Sequence, residues 1–517
     1  MLRAKPTGVP VFPLDIWWLI TQELASQHDF GGLFLCARLS RDVANLALPL
    51  LYGIHEQSTA IHGDIDDETP FEISVGLWRS IIASSLGKTL YPYCCWIRAL
   101  KLGNLDSHLV DLERGNNAAL KAKFFSPPLD EFQIKLGKTR KQQLDRKAVI
   151  IKVSDSITSY IQSAAQEQGK HVTLATLEGY HLPTASLQGW VSKLSRLSSL
   201  VVQDGSVLTS DVARVIREKC PNFKEVECYF CQGLDVDEQL AGFFNDLTPE
   251  SIESFTIRSR NDLGIKTFEA LNRHSGSLKR LTVQGLDATA LLALPALSDC
   301  LALEKLILEG GMGIPGLTWQ GEGLKEMKEW LKKCSHLKEL ELTVIASATE
   351  ILSEVLKNPS IRLTALTLKL IDSNKEFYVA LASQTALRQL ALKIVDDTIL
   401  EANDGRRDLF VDALCSMEQL RELDTNELFT SSDIRRISHS THSLEELVLN
   451  GDIILDDFIL ELCRMKHLKS INIFGPSALS ANEESALAAW VRNSFGGNLD
   501  IMYHREPDEL QESDFSD

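Results

Sequence analysis

Basic charge is in short supply in this 517-residue chain, with 53 Lys and Arg against 71 Asp and Glu and a formal net charge of −18. A surface that grips nucleic-acid phosphates needs clustered Lys and Arg, so nucleic acid is not an expected partner. Apolar runs are short: Ile16–Ile20 is among the longest, far below the roughly 18–20 residues of a membrane helix. Met1–Pro10 holds two basic residues and no apolar core of the signal-peptide kind. These absences set the expectation of a cytoplasmic or nuclear protein with no membrane partner. Ten cysteines are too few for a disulfide framework. No H-E-x-x-H zinc motif or G-x-S-x-G nucleophile turn occurs, so neither an enzyme nor a cofactor is expected.

What the chain does have is a repeat. Apolar-x-x-apolar-x-apolar appears as Leu278-Lys-Arg-Leu281-Thr-Val283, Leu303-Glu-Lys-Leu306-Ile-Leu308 and Leu337-Lys-Glu-Leu340-Glu-Leu342. It continues at Leu363, Leu387, Leu444 and Leu468, with weaker copies from Leu197, Phe223, Ile252, Leu420 and Leu499 and an isolated one at Ile97. From Leu197 to Leu499 most copies start 24–26 residues apart, and two steps stretch to 33 and 34. The alternating part reads as a short strand with one buried face. Helical stretches fall between, as at Lys325–Cys334, Phe410–Met417 and Asp433–Ser438, and Asp211 is placed to cap one that carries Val212, Val215 and Ile216. A unit of this size cannot bury its apolar face alone, so stacked units must share one core.

On these residues the chain, from about Ile97 to Leu499, resembles the leucine-rich-repeat family. That implies an α/β solenoid with parallel strands on its concave face and helices outside. The family's Asn or Cys three residues after the last strand position is mostly absent: Gly311, Ile345, Ile371 and Asp452 stand there, so an irregular member without a full Asn ladder is expected. A generic α/β protein with many Leu-rich helices is the plain alternative.

Ahead of the repeats, Phe12-Pro13-Leu14-Asp15-Ile16-Trp17 opens a helix, with Ile16, Leu19, Ile20 and Leu24 on one side. A second amphipathic stretch starts at Asp29 with Phe30, Leu33, Phe34 and Ala37. Ser40 caps a third, with Val43, Ala44 and Ala47, which Pro49 is expected to stop. This stretch resembles the F-box, through Phe12, Pro13, Asp15, Ile16, Trp17, Ile20, Leu24, Asp29-Phe30, Leu33 and Leu39-Ser40-Arg41. It departs at Thr21, where an apolar residue is usual, at Val43, where Trp is usual, and in about three extra residues before Leu39. The resemblance implies a substrate receptor that docks on the Skp adaptor, and through it on a cullin, with Phe12, Pro13, Ile16, Trp17 and Ile20 as docking residues. The alternative is a helical cap on the first repeat, within a repeat scaffold that binds protein but is unconnected to ubiquitination.

The expected organisation is a helical module over residues 10–53, a linker or capping segment over 54–95, the solenoid over 96–503 and an acidic tail over 504–517. Arg114–Lys147 has nine basic residues against three acidic ones and reads as a solvated insertion, in which Lys138-Thr139-Arg140-Lys141 is a weak nuclear-import motif. Three patterns are discounted. Gly311-Met-Gly313-Ile-Pro-Gly316 has a proline where a phosphate loop needs an amide. Cys228-Tyr-Phe-Cys231 lacks a second ligand pair. His439 and His442 have no further ligand beside them. Cys220, Cys300 and Cys334, each three residues before a repeat, with Cys415 and Cys463 five before, fit buried helix-to-strand junctions. On the strands, positions flanking the inner apolar pair face the solenoid's open side. Tyr229, Arg258, Gln284, Glu309, Glu341, Lys369 and Lys393 are the substrate-binding candidates, a mixture suited to an unknown protein ligand. The excursions Glu309–Gly323 and Val395–Arg407 leave from the same edge.

Overall fold

The computed structural model describes residues 12–57, 68–137, 143–179, 182–311, 317–395, 405–450, 461, 465–474, 481–494 and 499–504. Lys138–Lys141, Cys463, most of Gly311–Gly316 and of Val395–Arg407, and all but the first residue of the acidic tail lie outside them. The chain forms two compact units, one of residues 1–229 with 242–251 and one of 230–241 with 252–517.

In the first unit, α1 (Leu14–Ser26) starts after Pro13, whose φ of −54° already suits a helix entry. The Gly32 N–H donates to the Asp29 carboxylate at 2.7 Å to open α2 (Phe30–Ala37). A Cβ on Gly32 would sit 2.4 Å from that carboxylate, so the cap requires glycine there. The Val43 N–H donates to the Ser40 hydroxyl at 3.2 Å and opens α3 (Arg41–Gly53), burying Val43, Ala44 and Ala47 as the sequence implies. Pro49 does not stop α3; the helix runs through it to Gly53. The backbone bond lost there is offset by burial of Leu48, Leu51 and Tyr52 and by a 2.6 Å hydrogen bond between the Tyr52 and Ser80 hydroxyls. Ser80 belongs to α4 (Glu68–Ser85), which buries Val75, Trp78, Ile81 and Ile82. The stretch expected to be a linker or cap therefore holds an 18-residue helix with its own core face.

Four strands of this unit, β1 (Ala99–Lys101), β2 (Thr176–Gly179), β3 (Ser199–Asp204) and β4 (Glu225–Phe230), lie in chain order. Leu100 pairs with Leu177 and Leu177 with Leu200, all parallel. The rung at β2 escapes the sequence pattern because its last apolar position is Gly179. A Cβ there would fall 2.0 Å from Leu182 Cδ1, so Leu182 fills the space that a strand side chain would otherwise take. The basic insertion is not a solvated loop. Phe124, Phe125, Leu129, Phe132 and Leu144 are buried, and the Arg79 guanidinium donates to the carbonyls of Lys123, Ser126 and Pro127 at 2.9–3.2 Å. Its aromatic residues outweigh its charge in deciding its fate, since the lysines can reach water while the rings pack. The helix Ser210–Lys219 is capped by Thr209, not Asp211. Asp211 lies in the first turn and pairs with Arg214 at 2.9 Å, while Val212 and Ile216 are buried.

The second unit carries β5 (Ser254–Ile257), β6 (Arg280–Leu286), β7 (Lys305–Gly310), β8 (Glu339–Thr343), β9 (Ala365–Ile371), β10 (Gln389–Ile394), β11 (Glu422–Leu428), β12 (Glu446–Asn450), β13 (Ser470–Phe474) and β14 (Asp500–His504). They too pair in chain order, each parallel to its neighbour. Phe255, Leu281, Leu306, Leu340, Leu366, Leu390, Leu423, Leu447, Ile471 and Ile501 are successive Cα partners. From Phe255 to Ile471 they are buried to within 2%. Each buried leucine contributes about 1.5–3 kcal/mol, and the register puts them in one seam. The fold is thus α/β and solenoid-like, a strand–helix repeat on a parallel sheet.

The junction cysteines Cys220, Cys300 and Cys334 are buried as their spacing implies, whereas Cys415 is only half-buried. The Cys334 thiol points at the Trp330 carbonyl (3.4 Å) and the Cys220 thiol at the Leu194 carbonyl (3.4 Å), and burial pushes both up to about 12. The described end of the first excursion folds inward: Trp319 is buried and its indole donates to the Leu291 carbonyl at 2.8 Å. Gln384 does the same work by side chain, donating to the carbonyls of Leu356 (2.9 Å) and Ile361 (3.1 Å) and accepting from the Leu363 N–H (3.1 Å). Gln384→Met keeps the volume and strands two buried backbone groups, the Ile361 carbonyl and the Leu363 N–H, while the Leu356 carbonyl keeps the Ser383 hydroxyl at 2.7 Å. It is expected to destabilise the second unit by about 2–4 kcal/mol; an unchanged urea midpoint would contradict this account.

Burial also sets a pH response in the first unit. His55, next to α3 with its Nδ1 2.8 Å from the Tyr52 carbonyl oxygen, and His108, with its Nε2 2.5 Å from Ser74 Oγ, both have depressed pKa values because desolvation disfavours the cation. For His55 the Tyr52 carbonyl opposes the shift and Lys101 adds to it; for His108 Asp111 opposes it. The unfolded chain takes up these protons below the usual value of about 6.5 while the folded chain does not, so this stability is complete above 6.5 and falls with pH. A melting temperature that drops between pH 7 and 5, and drops less in His108→Gln, is the expected result.

Candidate functional site

Two surfaces gather the sequence-chosen residues. The first is the outer side of α1–α3. Of the five docking candidates, Phe12, Pro13 and Ile16 are exposed, and Trp17 and Ile20 are half-buried. Phe12 and Trp17 meet edge to face at 5.8 Å. The buried residue of α1 is Thr21, the position where the sequence departs from an apolar pattern, and its hydroxyl donates to the Trp18 carbonyl at 3.0 Å. Leu19, placed by the sequence on the same side as Ile16, Ile20 and Leu24, is 56% exposed.

More apolar surface faces outward than the sequence pattern picks out. Leu14, Trp18, Leu19, Phe34, Leu35 and Leu39 join Phe12 and Ile16, each between 38% and 61% exposed. Eight of the large apolar residues left exposed among the described residues thus lie between positions 12 and 39. The signal was present: Leu14, Ile16, Trp17, Trp18, Leu19, Ile20 and Leu24 cover α1 nearly all round, and a three-helix segment can bury only one side of it. In α2 the core takes Leu33 and Cys36 and leaves Phe34 outside, with the Arg38 guanidinium 5.9 Å from the Phe34 ring centroid.

The second surface is the open face of the sheet. Here the candidate residues divide by unit. Tyr229, on β4, is exposed. In the second unit Arg258 follows β5 directly and is exposed, while Gln284, Glu309, Glu341, Lys369 and Lys393 are half-buried. Gln284 donates to Glu309 at 2.6 Å. Lys369 and Lys393 are Cα partners on β9 and β10. The repulsion of like charges side by side is relieved on one side, because Lys393 pairs with Asp424 and sits 5.8 Å from the Phe474 ring centroid. The strip mixes carboxylates, cations and an amide over adjacent rungs, a composition that can match a folded or extended polypeptide.

Among the described residues no group of three His, Cys, Asp or Glu could hold a metal ion, and no helix is long and apolar enough to cross a membrane. Cys228 and Cys231 are buried and not joined in a disulfide, and His439 Nδ1 lies 2.6 Å from the Arg435 carbonyl oxygen on its own helix.

What the fold and these surfaces define is a class: a parallel strand–helix repeat array preceded by a short helical segment with its apolar side in water. No protein-family model matches the chain, and no curated protein does. Among solved structures it is similar to the complex of Rad7 and Elc1 from yeast, at 14% identity over 68% of this chain and 87% of that one, with a TM-score of 0.37. It is also similar to the Toll–Spätzle complex of Drosophila, at 14% identity over 63% of this chain and 43% of that one, with a TM-score of 0.33. Likenesses this distant identify neither a family nor a function.

Residues already in water contribute little to stability, so Leu19→Asp with Leu35→Asp is expected to shift the melting temperature by no more than a few degrees. Leu33→Asp, which buries a charge, is expected to unfold α1–α3. Loss of the helical signal of this segment in both variants would show that the outward apolar residues hold it together.

Proposed function

We propose that this chain is the substrate-recognition subunit of a Skp–cullin–F-box ubiquitin ligase, in which α1–α3 dock on the Skp adaptor and the open sheet face holds a protein substrate. The observation that carries the reading is the apolar surface formed by Phe12, Leu14, Ile16, Trp18, Leu19, Phe34, Leu35 and Leu39. So many large apolar side chains left in water on so short a segment are costly in a free protein and support a docking role. Its location coincides with the stretch whose sequence resembles an F-box.

The chemistry asked of such a subunit is modest. It brings a substrate lysine near a recruited conjugating enzyme and raises the local concentration, while bond making happens elsewhere. The mixed strip of Arg258, Gln284, Glu309, Glu341, Lys369 and Lys393 in the second unit suits that task, because specificity for a polypeptide comes from many modest contacts around a few anchors. The partners are therefore the adaptor, a cullin through it, and a protein substrate, in the cytoplasm or nucleus.

The test uses the full chain and purified Skp adaptor in titration calorimetry. Binding is expected, and Ile16→Asp with Leu19→Asp is expected to weaken it at least 100-fold, since each lost apolar anchor is worth about 1.5–3 kcal/mol. A chain that keeps its melting temperature and shows no heat of binding with the adaptor would instead be a protein-binding scaffold outside the ligase.

A further inference from the structure

A groove of about 560 Å³ crosses three consecutive helical segments of the second unit, on the side away from the substrate strip. Its origin is a difference in length. The helix Ala288–Ala293 has 6 residues and passes into the one-turn segment Leu294–Leu297, whereas the next helix, Gly321–Lys333, has 13. The short segment leaves a trough between the helix Ile265–Leu271 and the long one. Its walls are fixed before any ligand arrives, because the Asn272 amide donates to the Ala296 carbonyl at 2.7 Å.

The lining has two chemistries. Ile265 and Leu292 are exposed, at 55% and 57%, with Pro295 between the flanking helices. Trp330 also lines the groove and is 2% exposed, yet its indole N–H has no hydrogen-bond partner among the described residues. Around these stand Glu269, Glu326 and Glu329 against the single cation Lys333. Glu329 pairs with Lys332 at 3.0 Å, and no ion pair engages Glu269 or Glu326 among the described residues.

We propose that this groove is a second docking site, which takes a short basic segment of a partner protein with an apolar anchor between its cationic residues. The anchor rests on Ile265, Leu292 and Pro295, and flanking Arg or Lys side chains reach Glu269, Glu326 and Glu329. The volume is within the roughly 300–1,000 Å³ of ligand-sized clefts, and the excess of carboxylates selects the sign of the partner. The site is independent of the adaptor reading and of the sheet face, so the chain could hold two proteins at once.

The probe is a fluorescein-labelled peptide with a central pair of leucines flanked by two arginines on each side, and a control peptide with glutamates in place of the arginines. Fluorescence anisotropy with the full chain is expected to show saturable binding of the basic peptide only. Glu269→Lys with Glu326→Lys and Glu329→Lys is expected to weaken it at least tenfold, as is Leu292→Asp alone. Glu218→Lys with Glu376→Lys and Glu418→Lys, which changes net charge equally on exposed positions elsewhere, is expected to leave it within twofold. Trp330→Phe is expected to remove the change in tryptophan emission that accompanies binding. Equal loss in the groove and control triples would mean general attraction to an acidic chain and would overturn the proposal, as would absence of binding by the unmodified protein.

Discussion

Everything in the second unit depends on a strand of five or so residues being unable to hide its own leucines. The inward side chains of one rung have apolar neighbours only if the next rung stands in the same register. A shift of one residue would turn Leu306 outward and Ile307 inward, and the same would follow along the sheet. The run of partners from Phe255 to Ile501 is therefore a single constraint expressed many times. The helices, the junction thiols and the Gln384 clamp are arrangements that let each rung reach that register while the backbone carbonyls at its ends find donors.

The same constraint explains where function can reside. Positions that alternate with the seam are released from packing, so Arg258, Glu309, Glu341, Lys369 and Lys393 can vary in charge at little cost to the fold. The polar bonds among them, such as Gln284 to Glu309 and Lys393 to Asp424, orient the strip without fixing it. The N-terminal helices are under the opposite pressure. They carry more apolar residues than a small module can enclose, and the excess faces water.

The rungs of the second unit were legible because their period is strict and their leucines sit at fixed offsets. The rung at β2 was not, since Gly179 replaces the expected apolar residue and Leu182, outside the pattern, supplies the packing. The basic insertion misled for a related reason: charge counts weigh Lys and Arg heavily, while Phe124, Phe125 and Phe132 decide that it packs. Pro49 has a strong local preference against helix, and tertiary burial of Tyr52 overrides it. In α1 the sequence put Ile16, Leu19, Ile20 and Leu24 on one side, and Ile16 and Leu19 are exposed. The side facing α2 and α3 is marked by the small polar Thr21, a choice that periodicity of apolar residues cannot reveal.

Chain-order pairing also bears on synthesis. Within each unit a new strand finds its partner in the strand that left the ribosome just before it, and in the second unit that partner lies one repeat upstream. Each rung can then settle as it emerges, on a template already in place, and the most recent edge stays unpaired only for the time needed to translate one more repeat. The chain thus grows its hydrophobic seam in the direction of translation, with little apolar surface waiting for distant sequence.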